Sequence, residues 1–259
     1  FGDPDYGFSN KRESFSFDEI LSECLKLGIE FFDTSPRYMN SELILGKFFL
    51  EKKINPFVST KIDNLVANNK NTPKVMRGSI QNSLERLNKR TIDLCYLHQN
   101  DIEIISDKYV IKGLNLLKEE GLIKEAGTSI YSTEELAYTI ESLNYEWIQA
   151  PINILDVSFY NKIMSYNSTI KIAARSIFLQ GIIFNKSRIK DLITESELAI
   201  QSIDRIDLLA KKYDMSFKEL AVGYLFNLKK LSMIIFGSTS IENINFANNQ
   251  KKLNFKEEL

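Results

Sequence analysis

Ile92-Asp93-Leu94-Cys95-Tyr96-Leu97-His98 is a short, mostly apolar run that closes on one ionisable side chain. Its length and lack of polar alternation read as a strand buried on both faces, the habit of a parallel sheet. Two earlier runs repeat the design. Ile29-Glu30-Phe31-Phe32 leads into Asp33, and Phe57-Val58-Ser59-Thr60 leads into Lys61.

Working outward, seven segments read as strands: 29–34, 56–62, 92–98, 123–129, 147–153, 171–178 and 233–237. Helical periodicity fills the gaps. Residues 17–27 put Ile20, Leu21, Cys24 and Leu25 on one face and stop at Gly28. Residues 73–87 carry proline in the first turn. Ser132-Thr133-Glu134-Glu135 has capping-box chemistry, and further helices are expected near 195–213 and 216–228. Strands alternating with helices imply βαβ units. An open doubly wound sheet is the rival architecture, but a dinucleotide-binding one should show G-x-G-x-x-G after its first strand, and none occurs. The repeat of roughly 25–35 residues per βα unit favours a barrel.

A closed barrel of this kind has eight strands, and seven are legible. Residues 1–12, rich in Gly, Asp, Asn and Pro, read as a βα loop. The expectation is therefore a (β/α)8 TIM barrel forming one domain over residues 1–259. Its first strand is missing from this sequence, which leaves a gap or a borrowed element beside residues 29–34.

The chain has 259 residues, 44% of them hydrophobic and 26% charged, with a net charge of −1. That balance gives no reason to expect nucleic acid or an anionic membrane as partner. No apolar run reaches the length of a membrane helix. Phe1-Gly2-Asp3-Pro4-Asp5-Tyr6 has neither the basic start nor the apolar stretch of a signal peptide. Cys24 and Cys95 read as reduced, buried thiols, so a cytoplasmic protein is expected. A single histidine and the absence of a close cysteine pair argue against a zinc site.

The carboxyl ends of barrel strands form the active-site face. Three consecutive strands would bring Asp33, Lys61 and His98 together there, with Tyr38 in the loop five residues beyond Asp33. A strand-end aspartate is often only a helix cap, and a lone histidine is more often structural. Jointly they mean more, because a buried lysine needs a counter-charge and Asp33 supplies one. Carbonyl reduction requires a hydride at carbon and a proton at oxygen. A phenol is a weak acid near neutrality, and an ammonium beside it favours the phenolate, improving it as a proton donor. These residue types assign Tyr38 as proton donor, Lys61 as its activator, Asp33 as the lysine's anchor and His98 as a hydrogen-bond donor to the substrate oxygen.

The same residues resemble those of the aldo-keto reductases. Phe32-Asp33-Thr34-Ser35-Pro36-Arg37-Tyr38-Met39-Asn40-Ser41-Glu42, then Leu45-Gly46, is similar to the family pattern F-D-T-A-x-x-Y-G-x-S-E…L-G. Ser83-Leu84-Glu85-Arg86-Leu87 with 92–98 resembles S-L-x-R-L…I-D-L-Y-x-x-H. Residues 118–129 resemble L-K-x-x-G-K-I-R-x-I-G-x-S. The resemblance implies the tetrad Asp33, Tyr38, Lys61 and His98, a small-molecule carbonyl substrate, and a nicotinamide cofactor bound without a Rossmann fold. NADP is the first expectation and NAD the second.

It further implies that Ser129 and Gln149 meet the nicotinamide, and that Arg175, Ser176 and Phe178 run beside it. Gly237, Ser238 and Thr239 would begin the adenosine-phosphate loop. The chain departs from the pattern at Ile130, where the family has Asn, and at Arg175, where it has a stacking aromatic. Met39 replaces a common glycine, Phe246 and Ala247 replace Glu and Asn, and neither Gly237 nor Asn243 offers a cation for a 2′-phosphate. The opening residues, Phe1-Gly2 and 6–12, resemble bacterial members associated with surface-sugar biosynthesis. The alternative reading is a cofactor-binding regulatory protein, or a weakly active relative. Oligomeric state is silent.

Overall fold

The computed structural model describes residues 16–166, 168–178, 189–191 and 196–250. Within them, seven strands form one sheet: β1 (Phe31–Asp33), β2 (Phe57–Ile62), β3 (Ile92–Leu97), β4 (Ile123–Ser129), β5 (Trp147–Pro151), β6 (Lys171–Arg175) and β7 (Leu231–Ile234). Each pairs in parallel with the next, in chain order. The helices are α1 (Phe17–Lys26), α2 (Ser41–Lys52), α3 (Thr72–Leu87), α4 (Ile102–Ile105), α5 (Lys108–Glu119), α6 (Thr133–Ser142), α7 (Ser158–Met164), α8 (Ser196–Lys212), α9 (Phe217–Asn227) and α10 (Ile241–Asn249). This is the expected barrel with seven strands. β1 and β7 are its edges, and no described strand lies against the outer side of either. Residues 1–12, on which the eighth strand turned, lie outside the described residues.

The period-2 geometry of each strand sorts its side chains to two faces. Outward residues Phe32, Val58, Ile62, Cys95 and Leu97 pack with Ile20, Leu45, Met76, Ile80 and Leu114 of the surrounding helices. Further round, Ile148 and Ile172 pack with Ile140, Phe159 and Leu225. Inward residues Leu94, Tyr96, Trp147, Ala173 and Met233 fill the barrel, with Phe57 against them. Both faces are thus apolar over most of each strand, which is why the strands read as unbroken runs.

Three helices begin with reciprocal caps, Ser16 with Glu19, Ser132 with Glu135 and Ser216 with Glu219. At one crossing α2 and α3 come close. A Cβ on Gly46 would lie 2.0 Å from the Arg86 carbonyl oxygen, so this position admits only glycine.

Several boundaries differ from the reading of the sequence. β1 spans three residues instead of six, and β5 stops at Pro151. β6 ends at Arg175 instead of 178, because Ser176 turns the chain with φ of 59°. β7 begins two residues earlier than expected and ends at Ile234. Among the described residues, no helix is long and apolar enough to cross a membrane.

Candidate active site

Asp33 ends β1, Lys61 is the penultimate residue of β2, and His98 follows β3. The register aligns Asp33 with Ser59 and Lys61 with Tyr96, so these inward side chains occupy neighbouring strands at one end of the barrel. Only 2% of the Lys61 side chain is exposed. Burying an ammonium there is tolerable only with a counter-charge and filled hydrogen bonds. Lys61 Nζ donates to Asp33 Oδ2 at 2.7 Å and to the Thr34 carbonyl at 2.8 Å. The other Asp33 oxygen accepts from Ser59 Oγ at 2.7 Å and Gln149 Nε2 at 3.2 Å.

Tyr38 sits in the loop between β1 and α2. That loop is held by bonds from Tyr38 N to the Ser35 carbonyl and from Ser41 N to the Tyr38 carbonyl, both 2.9 Å. Thr34 Oγ1 donates to Ser41 Oγ, also at 2.9 Å. Met39, where the family pattern has glycine, adopts φ of 46°. Arg37 reaches over to Asp63, donating from Nη2 to Oδ1 at 2.8 Å, with Nε against Oδ2. Lys61 Nζ lies over the Tyr38 ring, 5.1 Å from its centroid. Among the described contacts the ammonium makes no direct hydrogen bond to the Tyr38 hydroxyl. The His98 ring meets the Tyr38 ring edge-on at 6.4 Å, and His98 Nδ1 is 3.4 Å from Ser35 Oγ. Burial, and after it the Lys61 ammonium, hold the His98 imidazole below its ordinary pKa, with Asp63 pulling the other way. Tyr96, also near Lys61, is fully buried, and burial pushes its phenol well up. Of these two tyrosines, Tyr38 is the exposed one.

Of the residues expected to meet a cofactor, Ser129, Gln149 and Arg175 lie toward this same end of the sheet. Ser129 and Gln149 are aligned in register, and Ser129 Oγ donates to Gln149 Oε1 at 3.2 Å. Gln149 therefore links Ser129 to Asp33. Arg175 closes β6 with its guanidinium over the Tyr131 ring at 4.1 Å. It donates to the Ile130 carbonyl at 3.0 Å and to Ser176 Oγ at 3.3 Å. The Ile130 side chain is buried in the outer apolar layer and so faces away from this groove. Phe178 also packs against that layer. Gly237 and Thr239 are exposed after β7, and Ser238 Oγ accepts from Ser240 N at 3.1 Å. Ser240 in turn caps α10. Lys218 of α9 brings an ammonium to Asn243, 2.7 Å from its Oδ1, beside the start of α10. A separate cleft of about 630 Å³ opens nearby, walled by Leu65, Val66, Gln99, Asp101 and Glu135. Gln99 follows His98, but Tyr38, Lys61 and His98 themselves are not on its wall.

Ser35, Ser59, Arg37 and Asp63 were not singled out from sequence. For Ser59 and Asp63 a signal existed. They flank Lys61 at i−2 and i+2, the spacing that shares one face of a strand. The Ser41-Glu42 pair of the motif proves to anchor α2. Glu42 is buried and accepts from Thr60 Oγ1 and Arg86 Nε, each at 2.6 Å.

A family model described as the Aldo/keto reductase family matches residues 3–258. D-arabinose 1-dehydrogenase of Saccharomyces cerevisiae is 28% identical over 179 residues, covering 65% of this chain and 52% of that protein. L-galactose dehydrogenase of Arabidopsis thaliana is 34% identical over 130 residues, covering 47% of this chain and 40% of that protein. The chain spans about half or less of the length of these curated relatives. Among solved structures, the glycerol dehydrogenase of Gluconobacter oxydans superposes with a TM-score of 0.74 at 21% identity. It covers 93% of this chain and 81% of its own. At that identity the likeness speaks to fold alone.

Proposed function

The chain belongs to the aldo/keto reductase family, and from that premise we propose that it is an NAD(P)H-dependent oxidoreductase acting on a small aldehyde or ketone. The observation that carries this reading is the Lys61 ammonium, buried against Asp33 and facing the Tyr38 ring. Such an arrangement has a high desolvation cost, and a structural lysine would gain nothing from it that a methionine could not supply. It gains its use when a phenol nearby must give up a proton.

The residues at the ends of β4 to β6 fit a nicotinamide. The Ser129 hydroxyl and Gln149 carboxamide suit a carboxamide partner, and the stacked Arg175 and Tyr131 offer a flat polar surface. When bound, the nicotinamide supplies the hydride. Tyr38 gives its proton to the substrate oxygen, and Lys61 stabilises the phenolate left behind. Asp33 keeps Lys61 charged and in place. His98 holds the substrate oxygen by a hydrogen bond. Lys218 of α9, whose ammonium reaches the start of α10, is the cation we assign to a 2′-phosphate, which makes NADPH the first cofactor to test and NADH the second.

The names of the relatives direct the first screen to sugars and polyols. Loss of reduced-nicotinamide absorbance with a panel of sugar aldehydes and ketones, and its gain with polyols and the oxidised cofactor, using each cofactor in turn, tests the reading. The ammonium facing the Tyr38 ring instead of its hydroxyl favours one second reading, a cofactor-binding protein with little turnover. Tight NADPH binding without reduction of any carbonyl would establish that alternative.

A further inference from the structure

We propose that Ser35 is a positioning residue whose hydroxyl donates to His98 Nδ1 and so fixes the imidazole as the tautomer protonated at Nε2. This rests on the role given to His98 above and adds the group that enforces it. Ser35 stands where the family pattern has alanine, so the pattern itself assigns it nothing.

The geometry is a matter of counting donors and acceptors. Ser35 is fully buried. Its Oγ accepts from Arg37 N at 3.2 Å, the bond that shapes the turn leading to Tyr38. A hydroxyl has one proton to donate, and a buried hydroxyl normally finds an acceptor for it. Among the described residues, the one acceptor within hydrogen-bond distance is His98 Nδ1, at 3.4 Å. Were Nδ1 protonated, Oγ would face two donors and its own proton would be stranded in the protein interior. With Nδ1 bare, every group is matched, and the ring proton lies on Nε2. The His98 backbone is fixed independently, its N–H donating to the Ile62 carbonyl at 2.8 Å. The ring therefore pivots about a set point, and Ser35 decides which nitrogen faces the loop. Burial and the Lys61 ammonium keep the ring neutral, so the tautomer question is a real one near neutrality. A neutral imidazole with hydrogen on Nε2 presents a donor to a substrate oxygen, whereas the other tautomer presents a lone pair and repels it.

Ser35 acts on this reaction from two sides. Through Arg37 N it sets the turn that carries Tyr38, and through Nδ1 it sets the proton on His98. The proton donor and the oxygen-binding donor are thus referenced to one buried hydroxyl.

His98 is the only histidine in the chain, so long-range proton–nitrogen correlation on untagged, uniformly 15N-labelled protein reads one imidazole without ambiguity. In the wild type we expect a pyridine-like Nδ1 and a pyrrole-like Nε2 at neutral pH. Ser35→Ala should shift the ring toward a mixture of tautomers, and Ser35→Thr, which keeps the hydroxyl, should restore the wild-type pattern. On a substrate of the wild type, Ser35→Ala should lower kcat by about tenfold with cofactor affinity unchanged. A pyrrole-like Nδ1 in the wild type overturns the proposal, as does a tautomer that Ser35→Ala leaves untouched. The nuclear magnetic resonance measurement needs no substrate. Its failure would therefore leave the oxidoreductase reading standing, and failure to find a substrate would leave the tautomer assignment standing. Should Ser35→Ala fail to fold, Ser35→Cys, whose thiol is a weak donor, takes its place: a mixture of tautomers is expected there too, and an unchanged ring overturns the proposal.

Discussion

The Lys61 side chain is almost wholly withdrawn from solvent, and three contacts around Nζ explain how. Asp33 offsets the charge, Thr34 fills a second donor site, and the third faces the Tyr38 ring. Tyr38→Phe removes the proton donor while leaving the ring in place. It should lower turnover by about 10²–10⁴-fold and leave cofactor affinity nearly unchanged, as steady-state kinetics with fluorescence titration of the cofactor would report. Lys61→Met keeps the volume but leaves the Asp33 carboxylate without its counter-charge, so turnover should fall and stability should fall with it. Retention of most activity by Tyr38→Phe on a confirmed substrate would sink the mechanism. His98 gives a second test at this scale. Burial and Lys61 depress its pKa, Arg37 acts in the same sense, and Asp63 and Asp33 oppose. As pH falls below about 6.5, the unfolded chain takes up the proton before the folded one does. Stability should therefore decline through the window between the unfolded pKa and the lower folded pKa. Titration of the single imidazole should give a midpoint below 6.5, and a midpoint above it would contradict the geometry around the ring.

At the scale of elements, α2 and α3 are the pair whose contact can be tested by one atom. A Cβ on Gly46 would lie 2.0 Å from the Arg86 carbonyl oxygen and 2.7 Å from Leu87 backbone atoms, none of them able to swing aside. Gly46→Ala should cost about 1–3 kcal/mol by urea denaturation. A loss near zero would mean that the two helices slide apart freely. Such contacts also show why legibility differed between elements. Strands were readable because burial on both faces makes them apolar throughout, as with Leu94, Tyr96, Cys95 and Leu97. α2 was not, since Leu43 and Leu50 are exposed while Leu45, Phe48 and Phe49 are buried, so no polar face marks its period. α10, with four asparagines in nine residues, has poor intrinsic propensity and begins where Ser240 caps it. Strand ends were misjudged where a single backbone angle ended the strand, as at Ser176. Asp33, Lys61 and His98 could be picked out because each interrupts or closes an apolar run, whereas Tyr38 lies in a loop and was singled out by its distance from Asp33 and by the family resemblance. Ser35 and Arg37 could not, since their partners His98 and Asp63 lie 63 and 26 residues away and only the fold brings them near.

The whole molecule divides its charged groups between the two ends of the barrel. Toward the amino ends of the strands, buried Asp93 accepts from Lys124 at 2.6 Å and from Val58 N at 3.0 Å, with Lys89 at 3.1 Å. Glu125 accepts from Trp147 Nε1 at 2.6 Å and pairs with Lys171, and Glu146 accepts from Lys118 at 2.5 Å and Ala126 N at 2.8 Å. These contacts tie β2 through β6 to one another and to α5. The carboxyl ends hold Asp33, Lys61, His98, Ser129, Gln149 and Arg175. In barrels the first end serves stability and the second serves chemistry. That division predicts additive energetics. Asp93→Asn leaves the Lys89 ammonium, which is nearly buried, without its counter-charge, and should cost about 2 kcal/mol or more. NADPH at about a hundredfold its Kd should stabilise the wild type by about 2.7 kcal/mol. The same increment is expected in Asp93→Asn, because sites without shared partners add. Denaturant melts of both proteins, with and without NADPH, measure all four corners of this cycle. An increment that vanished in Asp93→Asn would place the cofactor at the wrong end of the barrel. An increment absent from both proteins with NADPH, and absent again with NADH, would remove the nicotinamide from the proposal altogether.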